Sequence, residues 1–222
     1  MKRRPTTELL DADSGTPPEI ATALTDLRHI NAWFGGVRTT RLLLEETART
    51  LGKPNLSLLE VASGSGFVPQ KAANALNRTR VAVTLLDRVP SHLSNGKSNG
   101  TRRIAGDALY LPFAANAFDL VGCCLFVHHL SPDEAIRFAN EALRVSRHAV
   151  LINDLIRHPL HLALAYASLP LYRSHFTYHD APASVRQAYT VDEMTSILHQ
   201  AAARKIEIRR HPIFRMGVIL WK

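Results

Sequence analysis

A chain of 222 residues with 46% hydrophobic residues, 21% charged residues and a net charge of +8 has ordinary soluble-protein composition. It is long enough to bury a core without a disulfide or a metal staple. Its two cysteines, Cys123 and Cys124, are adjacent, which suits a reduced, cytoplasmic protein better than a disulfide scaffold. The start, Met1-Lys2-Arg3-Arg4-Pro5, runs into Thr6-Thr7-Glu8-Leu9-Leu10-Asp11 instead of an apolar stretch, so no export signal is expected. The longest apolar stretch, around Val145 to Leu171, is broken by Arg, His, Asp and Pro, so no membrane span is expected either. The positive charge suits an anionic partner such as RNA, but no dense basic run supports one.

Residues 1–54 read as a helical cap. Thr16-Pro17-Pro18-Glu19 combines an N-cap, first-turn prolines and a returning glutamate, followed by Ile20, Leu24, Leu27 and Ile30 at helical spacing. Gly35-Gly36 ends that helix, and a second, Val37 to Leu51, stops at Gly52-Lys53-Pro54. Across 55–154 short apolar runs alternate with helical segments, the pattern of a parallel sheet built from βαβ units. Strands are expected at Leu56–Val61, Arg80–Leu86, Arg102–Ile104, Phe118–Phe126 and Ala149–Asn153, with helices at Val68–Leu76 and Pro132–Val145. Residues 155–189, rich in His, Tyr, Leu and Arg, offer no matching strand and read as a lid over the sheet edge. In 190–222, the capping box Thr190-Val191-Asp192-Glu193 opens a helix to about Ala202, and strands Lys205–Arg210 and Phe214–Trp221 form an antiparallel hairpin.

The stretch Leu58-Leu59-Glu60-Val61-Ala62-Ser63-Gly64-Ser65-Gly66 is an apolar strand that ends near an acid and enters a small-residue loop before a helix. In an open α/β sheet, ligands bind outside the carboxyl ends of the strands, and small residues let the backbone approach them. The second strand ends in Leu85-Leu86-Asp87, an acid about twenty residues on that can accept two ribose hydroxyls. The third enters Gly106-Asp107-Ala108; the fourth runs through Cys123-Cys124-Leu125-Phe126-Val127 to His128-His129-Leu130. A dinucleotide fingerprint is absent, because Gly66 is followed by Phe67-Val68-Pro69.

Over Leu56 to Asn153 these residues together resemble the class I S-adenosylmethionine-dependent methyltransferases, in particular the small-molecule group with a His-His pair after the fourth strand. The resemblance implies a Rossmann-like α/β fold: a seven-stranded, mostly parallel sheet with a C-terminal antiparallel hairpin, N-terminal helices and a helical lid after the fifth strand. It implies S-adenosyl-L-methionine as cofactor and S-adenosyl-L-homocysteine as product. On it, Glu60 faces the methionine amino end, the backbone of Ala62, Ser63, Gly64 and Gly66 passes under the ligand, and Asp87 holds the ribose. Asp107 and Ala108 meet the adenine edge, Arg88 flanks the ring and Leu125 lies near the methionyl group. The family usually has glycine where this chain has Ala62, so that position must adopt a conformation alanine tolerates or cofactor affinity changes.

Methyl transfer to a phenol or alcohol requires removal of a proton, and histidine is the usual base near neutral pH. His128 lies just past the fourth strand and Asp154 just past the fifth, where a carboxylate can orient the imidazole. The resemblance to sugar and natural-product O-methyltransferases assigns His128 and Asp154 as a dyad, with His129 as the fallback base; the alternative is that the two histidines only cap the strand. The segment from Asn153-Asp154-Leu155 through His179-Asp180-Ala181-Pro182 to Arg186 and Tyr189-Thr190 is similar to bacterial methyltransferases that accompany polyketide-forming enzymes. That implies a role in secondary metabolism and an aromatic, phenolic or quinol-like acceptor, contacted by Trp33, His158, His179, Arg186 and Tyr189. Against this stand a Trp/Phe core contact for Trp33 and structural roles for the lid histidines. His158/His161 and His175/His179 have helical ligand spacing, but nothing completes a tetrahedral set, and no metal is expected.

C-methylation of a similar ring uses the same cofactor site and stays open beside O-methylation. An RNA methyltransferase is disfavoured: the fourth strand lacks an Asn/Asp-Pro-Pro-aromatic turn, and Cys123-Cys124 lack the adjoining proline of cytosine-C5 enzymes. A non-catalytic binding module rests on Ala62 alone, and a homodimer is compatible with the sequence.

Overall fold

The computed structural model describes residues 1–12, 15–94 and 100–222. Helix α1 (Pro17–Trp33) begins where the prolines and the acid place it, with the Glu19 carboxylate accepting the Thr16 backbone N–H at 2.8 Å. Gly35 turns the chain at φ 83° into α2 (Gly36–Leu51). The alternating part follows as β1 (Asn55–Val61), α3 (Phe67–Asn74), β2 (Arg80–Asp87), α4 (Pro90–Ser94), β3 (Arg102–Ala105), β4 (Phe118–Cys124), α5 (Pro132–Val145) and β5 (Ser146–Leu155). The lid is a helix pair, α6 (Pro159–Ala167) and α7 (His175–Gln187); α8 (Val191–Leu198), β6 (Lys205–His211) and β7 (Arg215–Trp221) close the chain.

The sheet has the order β3-β2-β1-β4-β5-β7-β6. Strands β1 to β5 are parallel, and β7 runs antiparallel between β5 and β6. This is the seven-stranded arrangement expected. The central strands read as continuous apolar runs because both faces are covered. Leu58, Leu120 and Leu151 pack with Leu43 and Leu44 of α2 on one side, while Leu59, Val121 and Ile152 pack with Phe138 of α5 and Leu198 of α8 on the other. The chain steps outward from β1 through β2 to β3 and returns to β4 on β1's other side. The crevice between the ends of β1 and β4 is therefore the switch point where a ligand site opens.

Some elements differ from expectation. The fourth strand ends at Cys124, not Phe126, because Leu125 turns into the left-handed region at φ 58° and starts the turn that carries Val127–His129 as a short 3₁₀ segment. The helix opened by Thr190 ends at Leu198 rather than Ala202, and α4 carries no sequence signal beyond Pro90. Among the described residues, no helix is long and apolar enough to cross a membrane.

Candidate active site

Glu60, the penultimate residue of β1, is 2% exposed. It has room because its cross-strand partner is Gly122, where a Cβ would come within 2.5 Å of the Glu60 Oε2. Burial pushes the Glu60 carboxyl up to about 8, so it stays protonated near neutral pH unless a cation arrives beside it. The loop then turns through Ala62 at φ 50° and Gly64, whose N–H donates to the Asp87 Oδ2 at 2.7 Å. Asp87 is fixed from its other oxygen by the Val89 N–H at 2.9 Å. The Ser63 hydroxyl is buried without a partner. Gly66 serves packing instead, since a Cβ there would lie 2.3 Å from Leu85 and the glycine lets α3 sit on β2. Asp107 closes an Asx turn onto the Leu109 N–H at 2.8 Å.

These groups line one cleft of about 910 Å³. Of the expected cofactor residues, Glu60, Ala62, Ser63, Gly64, Asp87, Arg88, Asp107, Ala108 and Leu125 all face it, and Gly66 does not. A buried acid short of a cation, an unpartnered hydroxyl and a carboxylate at the end of the second strand suit a cationic, ribose-bearing ligand.

His128 and His129 stand at the far wall of the same cleft. The register that pairs Cys124 with Asn153 sets the ends of β4 and β5 side by side, so Asp154 meets the following turn twice. Its Oδ2 accepts the His128 N–H at 3.0 Å, and its Oδ1 lies 2.6 Å from the His128 Nδ1. Both residues are buried, at 2% and 1% exposure, and Asp154 sits behind the histidine, off the cleft.

The ring's other nitrogen faces a residue that sequence reasoning missed. The Glu8 Oε1 is 3.5 Å from the His128 Nε2, an ion-pair distance without hydrogen-bond geometry. Glu8 also accepts from the Ser184 Oγ at 2.5 Å and the Gln187 Nε2 at 2.6 Å. His129 pairs with the Asp11 Oδ2 at 3.0 Å and lies 3.9 Å from Glu8. Burial by itself would lower the His128 pKa, but the two flanking carboxylates outweigh it and push the imidazole up to about 10. Burial pulls Asp154 and Glu8 the other way, and the histidines hold both carboxyls below their ordinary value. The donor atoms of Glu8, His128 and His129 lie within 4.8 Å of one another, a three-ligand set that could accept a metal ion where none was expected.

The N-terminal segment is tied down at several points. Arg3 donates to the His128 and Leu130 carbonyls at 2.9 Å and stacks on Tyr189 at 4.1 Å, and Asp180 accepts the Leu9 and Leu10 N–H groups. No local sequence signal marks Glu8 as a site residue, since its partners are contributed by α7 and the turn after β4.

A second cavity, about 340 Å³ and mainly apolar, lies between α1, α6 and α7. Ala23, Leu27, Ile30, Phe34, Leu164, Phe176 and Val185 line it, together with His161 and Arg215. It meets the first cleft at five shared residues, Glu8, Leu10, Leu27, Leu125 and Ser184. The expected acceptor contacts require correction, because none of the five lines either cavity. Trp33 is 61% exposed and stacks on His29, which also removes the core-contact alternative. His158 caps α6 and stacks on Phe214. His179 is exposed beside Asp180, Arg186 bonds the Tyr166 hydroxyl, and the buried Tyr189 donates to the Leu130 carbonyl at 2.7 Å. These side chains cap, stack and pair elsewhere, and the second cavity is walled mainly by apolar residues. His161 does face the cavity; burial draws its pKa down to about 4, and its Nδ1–H donates to the Ile156 carbonyl. Cys123 and Cys124 are interior, with burial raising both thiols, Cys124 to about 12, so neither offers a thiolate.

Residues 59–151 match the family model described as a methyltransferase domain. No curated protein matches the sequence. Among solved structures, human N-acetylserotonin methyltransferase in complex with SAM aligns over 99% of this chain and 60% of its own length, at TM-score 0.71 and 14% identity. The chain thus spans about three fifths of that protein. The plantazolicin methyltransferase BamL, in complex with a triazolic desmethylPZN analog and SAH, aligns over 90% of each chain at TM-score 0.66 and 14% identity. A putative S-adenosyl-L-methionine-dependent methyltransferase from Methanococcus maripaludis aligns over 92% of each chain at TM-score 0.62 and 13% identity.

The fold is that of the class I S-adenosylmethionine-dependent methyltransferases, and its core, residues 59–151, matches a methyltransferase domain. The N-acetylserotonin methyltransferase structure holds SAM and the BamL structure holds SAH.

Proposed function

We propose that this chain is an S-adenosylmethionine-dependent methyltransferase, releasing S-adenosylhomocysteine, that acts on a small aromatic acceptor, phenolic, polyketide-derived or quinol-like, and methylates a hydroxyl oxygen with His128 taking the proton. The observation that carries the reading is the junction of the two cavities. An apolar space of small-molecule size opens into the cofactor cleft beside the His128–Asp154 pair. In this reading Glu60, the Ala62–Gly64 backbone, Asp87 and Asp107 hold the cofactor, which when bound supplies an electrophilic methyl group. Leu125 lies beside the cofactor's methionyl group. The apolar walls favour a small molecule over RNA, and the names of the similar proteins, an N-acetylserotonin and a plantazolicin methyltransferase, support that choice.

Against burial, Asp154 and after it Glu8 push the imidazole up to about 10, and both carboxylates favour the form that holds the proton once it has been taken. The Asp154 hydrogen bond to Nδ1 then leaves Nε2 as the atom that receives the acceptor's proton. The chemistry needs no metal.

The test is transfer of labelled methyl from S-adenosylmethionine to a panel of phenols, hydroquinones and resorcinols beside bulk RNA. Label is expected in a phenolic product. His128→Ala should then lose about 10²–10⁴-fold in turnover with S-adenosylhomocysteine affinity nearly unchanged. Undiminished turnover removes the base assignment, and label in RNA removes the acceptor assignment.

A further inference from the structure

Arg215 opens β7 and is 1% exposed, among the largest fully buried side chains. Its Nε donates to the Phe34 carbonyl and its Nη2 to the Asn31 Oδ1, each at 3.1 Å. Its Nη1 is buried without a hydrogen-bond partner, and among the described residues no carboxylate forms an ion pair with it. The Asp154 carboxylate acts on it through space but is itself bonded by His128 and the Leu155 N–H. A buried guanidinium stays charged and its unbonded N–H groups are costly, so its retention calls for a partner that arrives from outside.

The surroundings say where that partner would come from. Arg215 lines the apolar cavity between α1, α6 and α7 and does not line the cofactor cleft. The cavity's two carboxylates are engaged elsewhere: Glu8 by Ser184 and Gln187, Asp180 by the Leu9 and Leu10 amides. His161 already donates to the Ile156 carbonyl. Ile213 and Phe214, in the tight β6–β7 turn just before Arg215, both stand in the left-handed region, at φ 59° and 52°, as a short hairpin turn requires.

We propose that the acceptor is an apolar organic acid, and that Arg215 binds its carboxylate in the wall of this cavity. The inference rests on the reading that this cavity takes the acceptor. Its chemistry is ion pairing in a low-dielectric wall: the anion completes the hydrogen bonding of Arg215, and the apolar walls cover the rest of the molecule. Arg215 therefore selects the substrate and takes no part in methyl transfer.

The experiment measures binding of a hydroxynaphthoic acid and of its carboxamide to the protein loaded with S-adenosylhomocysteine, by calorimetry near neutral pH. The acid should bind about 10- to 100-fold more tightly than the amide, the ratio expected for a charge-assisted hydrogen bond. In Arg215→Met the ratio should fall to near one with S-adenosylhomocysteine affinity retained, and Arg215→Lys should keep part of it. Should the methionine variant not fold, the wild-type ratio against that of the lysine variant decides. Equal affinity for acid and amide, no binding of the acid at millimolar concentration, or an arginine variant that loses S-adenosylhomocysteine instead would each overturn the proposal. The labelled-methyl assay separates the two readings: methylation of neutral phenols without acid preference leaves O-methylation standing and removes the role of Arg215. Preferential binding of an acid that is never methylated does the reverse.

Discussion

Two residues in the site are held in unusual protonation states, and each makes a measurable prediction. Glu60 carries a pKa of about 8 because its carboxyl is buried without a cation. A cationic cofactor beside it favours the ionised form, so binding near neutral pH should release a proton. Affinity for S-adenosylmethionine should rise as pH increases toward about 8 and then level off. Calorimetry in buffers of different ionisation enthalpy reads that proton directly, and Glu60→Gln should abolish the release. His128 works in the opposite sense. Its folded pKa, about 10, lies above the ordinary 6.5, so its pairing stabilises the fold fully below about pH 6.5 and is lost as pH rises toward 10. Glu8→Gln removes one of the two carboxylates, and its melting temperature should therefore fall less steeply than that of the wild type over that window. Parallel curves for the two proteins would show that Glu8 does not hold the proton. The asymmetry in legibility also sits at this scale. Glu60, Asp87, His128 and Asp154 stand at strand ends, where topology dictates a site; Glu8 stands in a segment whose contacts are some 120 to 180 residues away in sequence.

At the scale of elements, the loop after β1 shows a local rule broken in place. Ala62 keeps the left-handed conformation that glycine favours, at φ 50°. Alanine there costs about 1–2 kcal/mol in backbone strain. Part of that is recovered by the lower entropy of the unfolded chain, about 0.4–1 kcal/mol. Ala62→Gly should therefore stabilise the protein by up to about 1 kcal/mol, a rise of about 2–4 °C in melting temperature for a chain of this size. An unchanged or lower Tm would mean that the alanine methyl contributes packing. At the opposite ends of the strands, Asp119 of β4 ties β1 and β5 together. It accepts the Ser57 N–H and hydroxyl at 2.9 and 2.8 Å, and it pairs with Lys53 and Arg147 at 3.3 and 3.0 Å. Burial would raise its pKa, but these donors lower it from 3.8 to about 2. Its contribution is thus present above pH 3.8 and lost as pH falls through 2. Asp119→Asn should be less stable than the wild type near neutral pH, with the two melting curves converging at the acid end. The capping boxes at Thr16 and Thr190 were legible because each is a local arrangement of a hydroxyl, a backbone N–H and a glutamate three residues on. The end of β4 was not, because Leu125 looks like one more apolar strand residue until its φ of 58° is known.

For the whole molecule, the architecture follows from an alternation that any stretch of the chain displays locally. Apolar runs of strand length separated by amphipathic helices have one economical packing, a parallel sheet with helices on both faces, and the final two strands add an antiparallel edge. Sequence by itself therefore determined the fold class, the order of elements, the small-residue loop after β1, the acid at the end of β2 and the meeting of His128 with Asp154. All of these depend on period, capping chemistry and the register of neighbouring strands. Only the tertiary structure decided the acceptor side. It turned Trp33, His158, His179, Arg186 and Tyr189 away from both cavities, brought Glu8 against His128, and buried Arg215 in an apolar wall. The physical reason is that those positions depend on how α1, α6, α7 and the N-terminal segment pack across one another. Packing of that kind joins residues far apart in the chain, and neither periodicity nor motif spacing records it.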